Sequence, residues 1–250
     1  MMYGSIQKQF KTSNMIFRTQ NEPHLSFYRN EQFNHHFEFE NEWQGDDVSR
    51  IDEPSWQHRY DYESGILLDI IKENNYKDII ELGSGPGELG QKIIQKHDSE
   101  LDYTFIDRIG AKDVFNQRKF KGTFLVKDLM NDFDISDLNN EYDFLITNDF
   151  LEHIYNPSLV LQKCYKIIKD EGKIFVSVPN WRMGHVFVYR GLFDYDNFVY
   201  LMYTHGFKIS GVWESPLKCG FSPKESSESE MDDRLITSWN WYMLFDKLSE

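Results

Sequence analysis

Five short apolar runs punctuate the middle of the chain: Asp78 to Leu82, Asp102 to Asp107, Thr123 to Lys127, Tyr142 to Asn148 and Lys173 to Val178. Each is too short for a typical helix and rich in β-branched and aromatic residues, so each reads as a buried strand. Helical segments between them start near Glu88, Ala111 and Pro157. At Pro157 the proline stands in a first turn, where its missing donor is harmless. Ahead of the first strand, Tyr62 to Ile71 reads as a helix that buries Ile66 and Ile70 on one face. Past Pro179 the pattern loosens, then resumes with a helix over Tyr195 to Thr204 closed by Gly206, and strand candidates at Phe207 to Trp213 and Ser238 to Phe245. The Ser/Glu-rich stretch Ser222 to Asp233 between these strands reads as a solvated loop. Alternating strands and helices followed by a strand pair predict an α/β fold, a seven-stranded and mostly parallel sheet with helices on both faces.

The pattern is weak before Trp56. Residues 1–55 are polar, with at best a strand-like alternation around Phe37-Glu38-Phe39-Glu40. They read as an N-terminal extension, either a lid or partly disordered, ahead of a single domain over residues 56–250. The His35-His36 pair has acids nearby, but adjacent strand residues point to opposite faces, so no metal site is expected there.

Composition narrows the function classes. The net charge of -14 and a pI near 5.0 argue against a broad phosphate-binding face. The short basic cluster Arg118-Lys119-Phe120-Lys121 reads as a solvated helix end, so nucleic acid is not an expected partner. Cys164 and Cys219 are widely separated and lack CxxC spacing, which predicts reduced thiols rather than a zinc site or disulfide framework. The first residues lack the continuous apolar core of a signal peptide, and no run approaches the ~20 apolar residues of a membrane span. A cytoplasmic location without membrane association is the resulting expectation.

The chemistry concentrates where the first strand runs into Gly83-Ser84-Gly85-Pro86-Gly87 and a helix follows. A strand, a glycine turn and a helix form a nucleotide site in a Rossmann-like sheet. Two motifs overlap: Gly85 to Gly90 satisfies GxGxxG, and Glu81 to Gly87 satisfies ExGxGxG. The loop alone therefore leaves a dinucleotide and S-adenosylmethionine (SAM) both open. A dinucleotide places its pyrophosphate on the helix N-terminus, and Glu88 would oppose it there. SAM carries a sulfonium and an ammonium instead, which suit a carboxylate at Glu81.

These residues, with three further stations in order, resemble the class I SAM-dependent methyltransferase family over roughly residues 56 to 213. The resemblance implies that Gly83, Ser84, Gly85 and Gly87 pass beneath the methionine and ribose parts of SAM, with Glu81 in support. It implies that Asp107, with Arg108 beside it, holds the ribose hydroxyls; a carboxylate accepts both hydrogen bonds at once. Asp128 and Leu129 resemble the family's adenine neighbours. Asn148-Asp149-Phe150-Leu151-Glu152-His153 looks like the end of the fourth strand and the LEH turn of many small-molecule methyltransferases, and the resemblance implies that Asn148, Asp149 and Phe150 also contact the cofactor.

The implied reaction is direct displacement of the methyl group onto a small-molecule oxygen or nitrogen, a reaction that depends largely on alignment. His153 is the candidate general base, set against a role in bonding the turn alone. Trp181, Arg182, His185 and Tyr189, after the fifth strand, are candidate acceptor-binding residues, although the aromatic run they belong to also suits packing. Trp56, His58 and Tyr60 are placed over the cofactor by analogy. The chain lacks the Asn/Asp-Pro-Pro-Tyr/Phe turn of enzymes that methylate DNA bases, carrying Asn148-Asp149-Phe150-Leu151 there. Three other readings remain: a SAM-binding module without turnover, a protein-directed methyltransferase, and an NAD-dependent oxidoreductase.

Overall fold

The computed structural model describes residues 51–129, 138, 142–154, 156–179, 195–214 and 240–249. The first helix, α1, covers Pro54–Asn74, with proline in its first turn and the C-cap Asn75 in the left-handed region. It starts eight residues before the amphipathic stretch at Tyr62, because Pro54 supplies a start that apolar periodicity does not register. Strand β1 (Asp78–Leu82) follows, then α2 (Glu88–Lys96), β2 (Asp102–Asp107), α3 (Ile109–Gln117) and β3 (Thr123–Val126). Next come β4 (Tyr142–Asn148), a 3-10 turn at Leu151–His153, α4 (Pro157–Ile167) and β5 (Ile168–Pro179). The chain then forms α5 (Tyr195–Thr204), β6 (Phe207–Glu214) and β7 (Asn240–Lys247).

The seven strands form one sheet in the order β3-β2-β1-β4-β5-β7-β6. The first five pair in parallel, and β7 runs antiparallel between β5 and β6. The expected Rossmann-like, mostly parallel sheet is therefore present. Two strands start two or more residues from the expected position. Strand β5 begins at Ile168, because Tyr142 pairs with Ile168 before a register shift, upstream of the apolar run at Lys173. Strand β7 is displaced two residues toward the C-terminus, where Lys247 still pairs with Phe207. The stretch from Ser222 to Asp233 lies outside the described residues.

Strand alternation sorts the core into two layers. Ile80, Leu82, Leu145, Val176 and Val178 face Val160, Leu161 and Cys164 of α4 and Phe198 and Met202 of α5. Ile79, Tyr103, Phe105, Phe144, Ile146 and Phe175 face Leu67, Ile70 and Ile71 of α1, Leu89 and Ile93 of α2, and Phe115 of α3. These strands are covered on both faces, which is why they read as continuous apolar runs in the sequence. Cys164 is fully buried in the first layer, and burial pushes its thiol up; Cys219 lies outside the described residues. Among the described residues no helix is long and apolar enough to cross a membrane.

Candidate functional site

The carboxyl ends of β1, β2 and β4 converge on one edge, where order reversal between β1 and its neighbours opens a crevice in parallel α/β sheets. The glycine loop leaves β1 there. Gly83, Gly85 and Gly87 have φ values of 68°, 52° and 92°, a region L side chains enter at a cost. Gly83 and Ser84 donate their amides to the Ile106 carbonyl at 2.9 and 3.2 Å, which ties the loop to β2. A Cβ at Gly83 would lie 2.3 Å from Phe150 Cδ2, so the loop and the segment after β4 touch through a glycine. Glu88 stands in the first turn of α2, as the sequence places it, and pairs with Arg118.

Asp107 ends β2 and braces the same loop. Its Oδ2 accepts from the Gly85 amide at 2.7 Å and its Oδ1 from the Arg108 amide at 2.7 Å. Burial pushes its carboxyl up while those two amides pull it back down. Each oxygen retains a further lone pair for a ligand hydroxyl. Arg108 caps α3 and is half-buried. Asp128 follows β3 and is half-buried, and the amide of neighbouring Lys127 donates to the Asp107 carbonyl at 3.1 Å. Leu129 is buried among Leu82 and Ile106 rather than standing open.

Glu81 lies under the loop, 2% exposed, with Oε2 accepting the Tyr103 hydroxyl at 2.8 Å. Burial pushes its carboxyl up to about 8, with Glu63 and Asp107 adding to the rise and Tyr103 opposing it. At neutral pH Glu81 is therefore mainly the neutral acid, where the sequence motif alone implies a carboxylate.

After β4, Asp149 adopts φ 48° and turns the chain sharply. Its amide donates to the Ser177 carbonyl at 3.1 Å, and its Oδ1 accepts the Ser177 hydroxyl at 2.6 Å. Its Oδ2 takes the Arg59 guanidinium in an ion pair. Arg59 Nε also donates to Glu63 Oε1 at 2.6 Å, one helical turn along α1. Glu63 is fully buried; its Oε1 further accepts the Tyr242 hydroxyl at 2.8 Å and its Oε2 the Asn148 amide at 3.1 Å. One connected polar network thus joins α1, the ends of β4 and β5, and β7. Arg59 and Glu63 were not legible as site residues: an i,i+4 ion pair is common on solvated helix faces. Their partners are 90 and 179 residues away in sequence.

The Leu151-Glu152-His153 segment forms the 3-10 turn, with the His153 amide donating to the Phe150 carbonyl at 2.9 Å. His153 is half-buried, while Glu152 is 1% exposed and its carboxyl is pushed up by burial and by Asp149. Three buried side-chain atoms meet no hydrogen-bond partner among the described residues: Thr147 Oγ1, Asn148 Oδ1 and Glu152 Oε2. All three stand at the end of β4 or in the turn after it. At the start of α1, Trp56 and Tyr60 approach with ring centroids 6.0 Å apart, and the Arg59 guanidinium lies 5.3 Å from the Trp56 ring. Trp181, Arg182, His185 and Tyr189 lie outside the described residues, as do His35 and His36. Among the described residues no group of three or more His, Cys, Asp or Glu side chains is placed to hold a metal ion.

A family model described as a methyltransferase domain matches residues 55–220. No curated protein matches the chain in sequence. Among solved structures, the plantazolicin methyltransferase BamL, in complex with a triazolic desmethylPZN analog and SAH, is similar at a TM-score of 0.61 and 12% identity, over 90% of this chain and 94% of that one. A SAM-dependent methyltransferase from Aquifex aeolicus is similar at a TM-score of 0.58 and 13% identity, over 83% of this chain and 100% of that one. The [4+2]-cyclase SpnF is similar at a TM-score of 0.51 and 13% identity, over 74% of this chain and 81% of that one. At such identities the likeness is one of fold.

Proposed function

The chain belongs to the SAM-dependent methyltransferase family, and on that premise we propose that it methylates an oxygen or nitrogen of a small-molecule acceptor. One observation carries the reading: the glycine loop, Asp107 and the turn from Asp149 to His153 meet on the carboxyl edge of β1, β2 and β4. SAM, when bound, supplies a methyl group activated by its sulfonium. In this reading the backbone of Gly83, Ser84, Gly85 and Gly87 carries the cofactor, the free lone pairs of Asp107 take its ribose hydroxyls, and Asp128 and Leu129 stand beside its base. The unpartnered Asn148 Oδ1 offers a buried acceptor for the cofactor's ammonium, which supports the assignment.

Asn148, Asp149 and Phe150 complete the cofactor site, and His153 takes the acceptor's proton where one must be removed. Trp181, Arg182, His185 and Tyr189 are the proposed acceptor-binding residues, and residues 1–55 are an N-terminal extension to a methyltransferase domain that spans residues 56–250. A small molecule rather than nucleic acid suits the net charge of -14, since a phosphate backbone would meet an acidic protein. The working compartment in this reading is the cytoplasm.

The test is to incubate the protein with SAM and a metabolite extract and follow both S-adenosylhomocysteine and new masses 14 units heavier by mass spectrometry. Methylated small molecules together with S-adenosylhomocysteine are expected. Methyl transfer to protein alone, or SAM binding without turnover on any fraction, would refute the acceptor class.

A further inference from the structure

Two of the buried glutamates near the cofactor loop, Glu63 and Glu81, have very different surroundings. Glu63 receives Arg59, Tyr242 and Asn148, a cation and two neutral donors. The hydrogen bond to Glu81 comes from the neutral Tyr103 hydroxyl, and among the described residues no cation contacts it. The charged groups felt at Glu81 are themselves acids, Glu63 from α1 and Asp107 from β2. A carboxylate in that position is doubly disfavoured, by removal from water and by like charge. Two residues downstream, Gly83 begins the loop that carries the cofactor.

SAM brings a net positive charge to this loop, whereas its demethylated product, S-adenosylhomocysteine, has lost the sulfonium and is neutral overall. We propose that Glu81 distinguishes donor from product by a proton: the cationic donor binds with release of the Glu81 proton to solvent, and the neutral product binds with that proton retained. On donor binding the O–H bond of the Glu81 carboxyl breaks, the proton leaves to bulk water, and the carboxylate balances the sulfonium. After methyl transfer the sulfur is neutral, the carboxylate again lacks a counter-charge, and it recovers a proton from solvent. Net charge within the site stays nearly constant through the cycle. The reprotonated acid then has no electrostatic hold on the product, which favours its departure. This inference rests on the reading that SAM occupies the Glu81–Gly87 loop.

The experiment is titration calorimetry of SAM and of S-adenosylhomocysteine, in buffers of different ionisation enthalpy, between pH 6 and 9. With Glu81 near 8 before binding, about 0.9 proton is released per SAM at pH 7. SAM affinity rises roughly tenfold per pH unit up to about pH 8 and then levels. The product shows a much flatter profile. Glu81→Gln cannot titrate yet still accepts from the Tyr103 hydroxyl, so in it the donor and product profiles converge. The ligand's own amino group titrates equally in both proteins and cancels in the comparison. Tyr103→Phe leaves the acid but removes the donor that favours its charged form, and moves the break in the SAM profile to higher pH, an arm that stands if Glu81→Gln misfolds. SAM binding with proton release unchanged by Glu81→Gln, no shift in Tyr103→Phe, or equal release with donor and product would overturn the proposal. Absence of SAM binding at any pH would overturn the loop assignment itself.

Discussion

Gly83→Ala tests whether the contact between the glycine loop and the segment after β4 holds the site together. The added Cβ would stand 2.3, 2.5 and 2.7 Å from Cδ2, Cγ and Cβ of Phe150, at a backbone φ of 68°. The left-handed backbone costs an alanine about 1 kcal/mol. Overpacking a well-filled site adds about 1–3 kcal/mol, and Phe150 is only 8% exposed, so its ring has little room to yield. The expected destabilisation is therefore about 2–4 kcal/mol, read as a lower urea midpoint at constant m-value. SAM affinity should fall as well, because the loop and the Asp149 turn are pushed apart. Phe150→Ala removes two of the three closest atoms and costs about 3 kcal/mol alone through the cavity it leaves. If the clash is the cause, the double variant is less destabilised than the sum of the singles by about 1–2 kcal/mol, the steric share, while the backbone share remains. Strict additivity in this double-mutant cycle would refute the reasoning.

Arg59→Ala leaves Glu63 and Asp149 without their shared guanidinium; since Arg59 is partly exposed, the loss should be at the lower end for a broken buried pair, roughly 3 kcal/mol, measurable by calorimetric unfolding. His153→Ala is expected to lower turnover without weakening SAM binding, so unchanged turnover at saturating acceptor would remove His153 from the chemistry. Stability should also depend on pH through Glu81, whose carboxyl is raised from 4.5 to about 8 on folding. The folded state holds this proton more tightly, so its contribution is full below about 4.5 and is lost as pH rises toward 8, by about 1.4 kcal/mol per unit at most. Glu81→Gln should flatten that decline in urea titrations between pH 5 and 8; an unaltered slope would show that another group sets it.

Much of the architecture could be read locally. Ile79, Ile80 and Leu82 form a short run that suits a strand buried on both faces, and Gly83, Gly85 and Gly87 follow at a spacing that suits a positive-φ turn. Pro157 marks the start of α4, and the structure adds a cap that was not read from the sequence, the Asn156 side chain accepting from the Leu159 amide. The first helix was legible only from Tyr62 onward, since Trp56, His58, Arg59 and Tyr60 form no apolar stripe. Their packing depends on what the sheet edge presents to them.

By itself, then, the sequence determined the strand and helix alternation, the glycine turn and the order of the acidic stations, because these depend on neighbours within a few residues. Tertiary structure alone decided the electrostatic character of those acids. Asp149 is held by Arg59 from 90 residues upstream, and Glu63 by Tyr242 from 179 residues downstream. Glu81, spelled like any carboxylate, becomes a neutral acid because its fold neighbours are a hydroxyl and two other acids. The charge of a side chain depends on the water it loses and the partners it gains, and both are known only when distant segments meet.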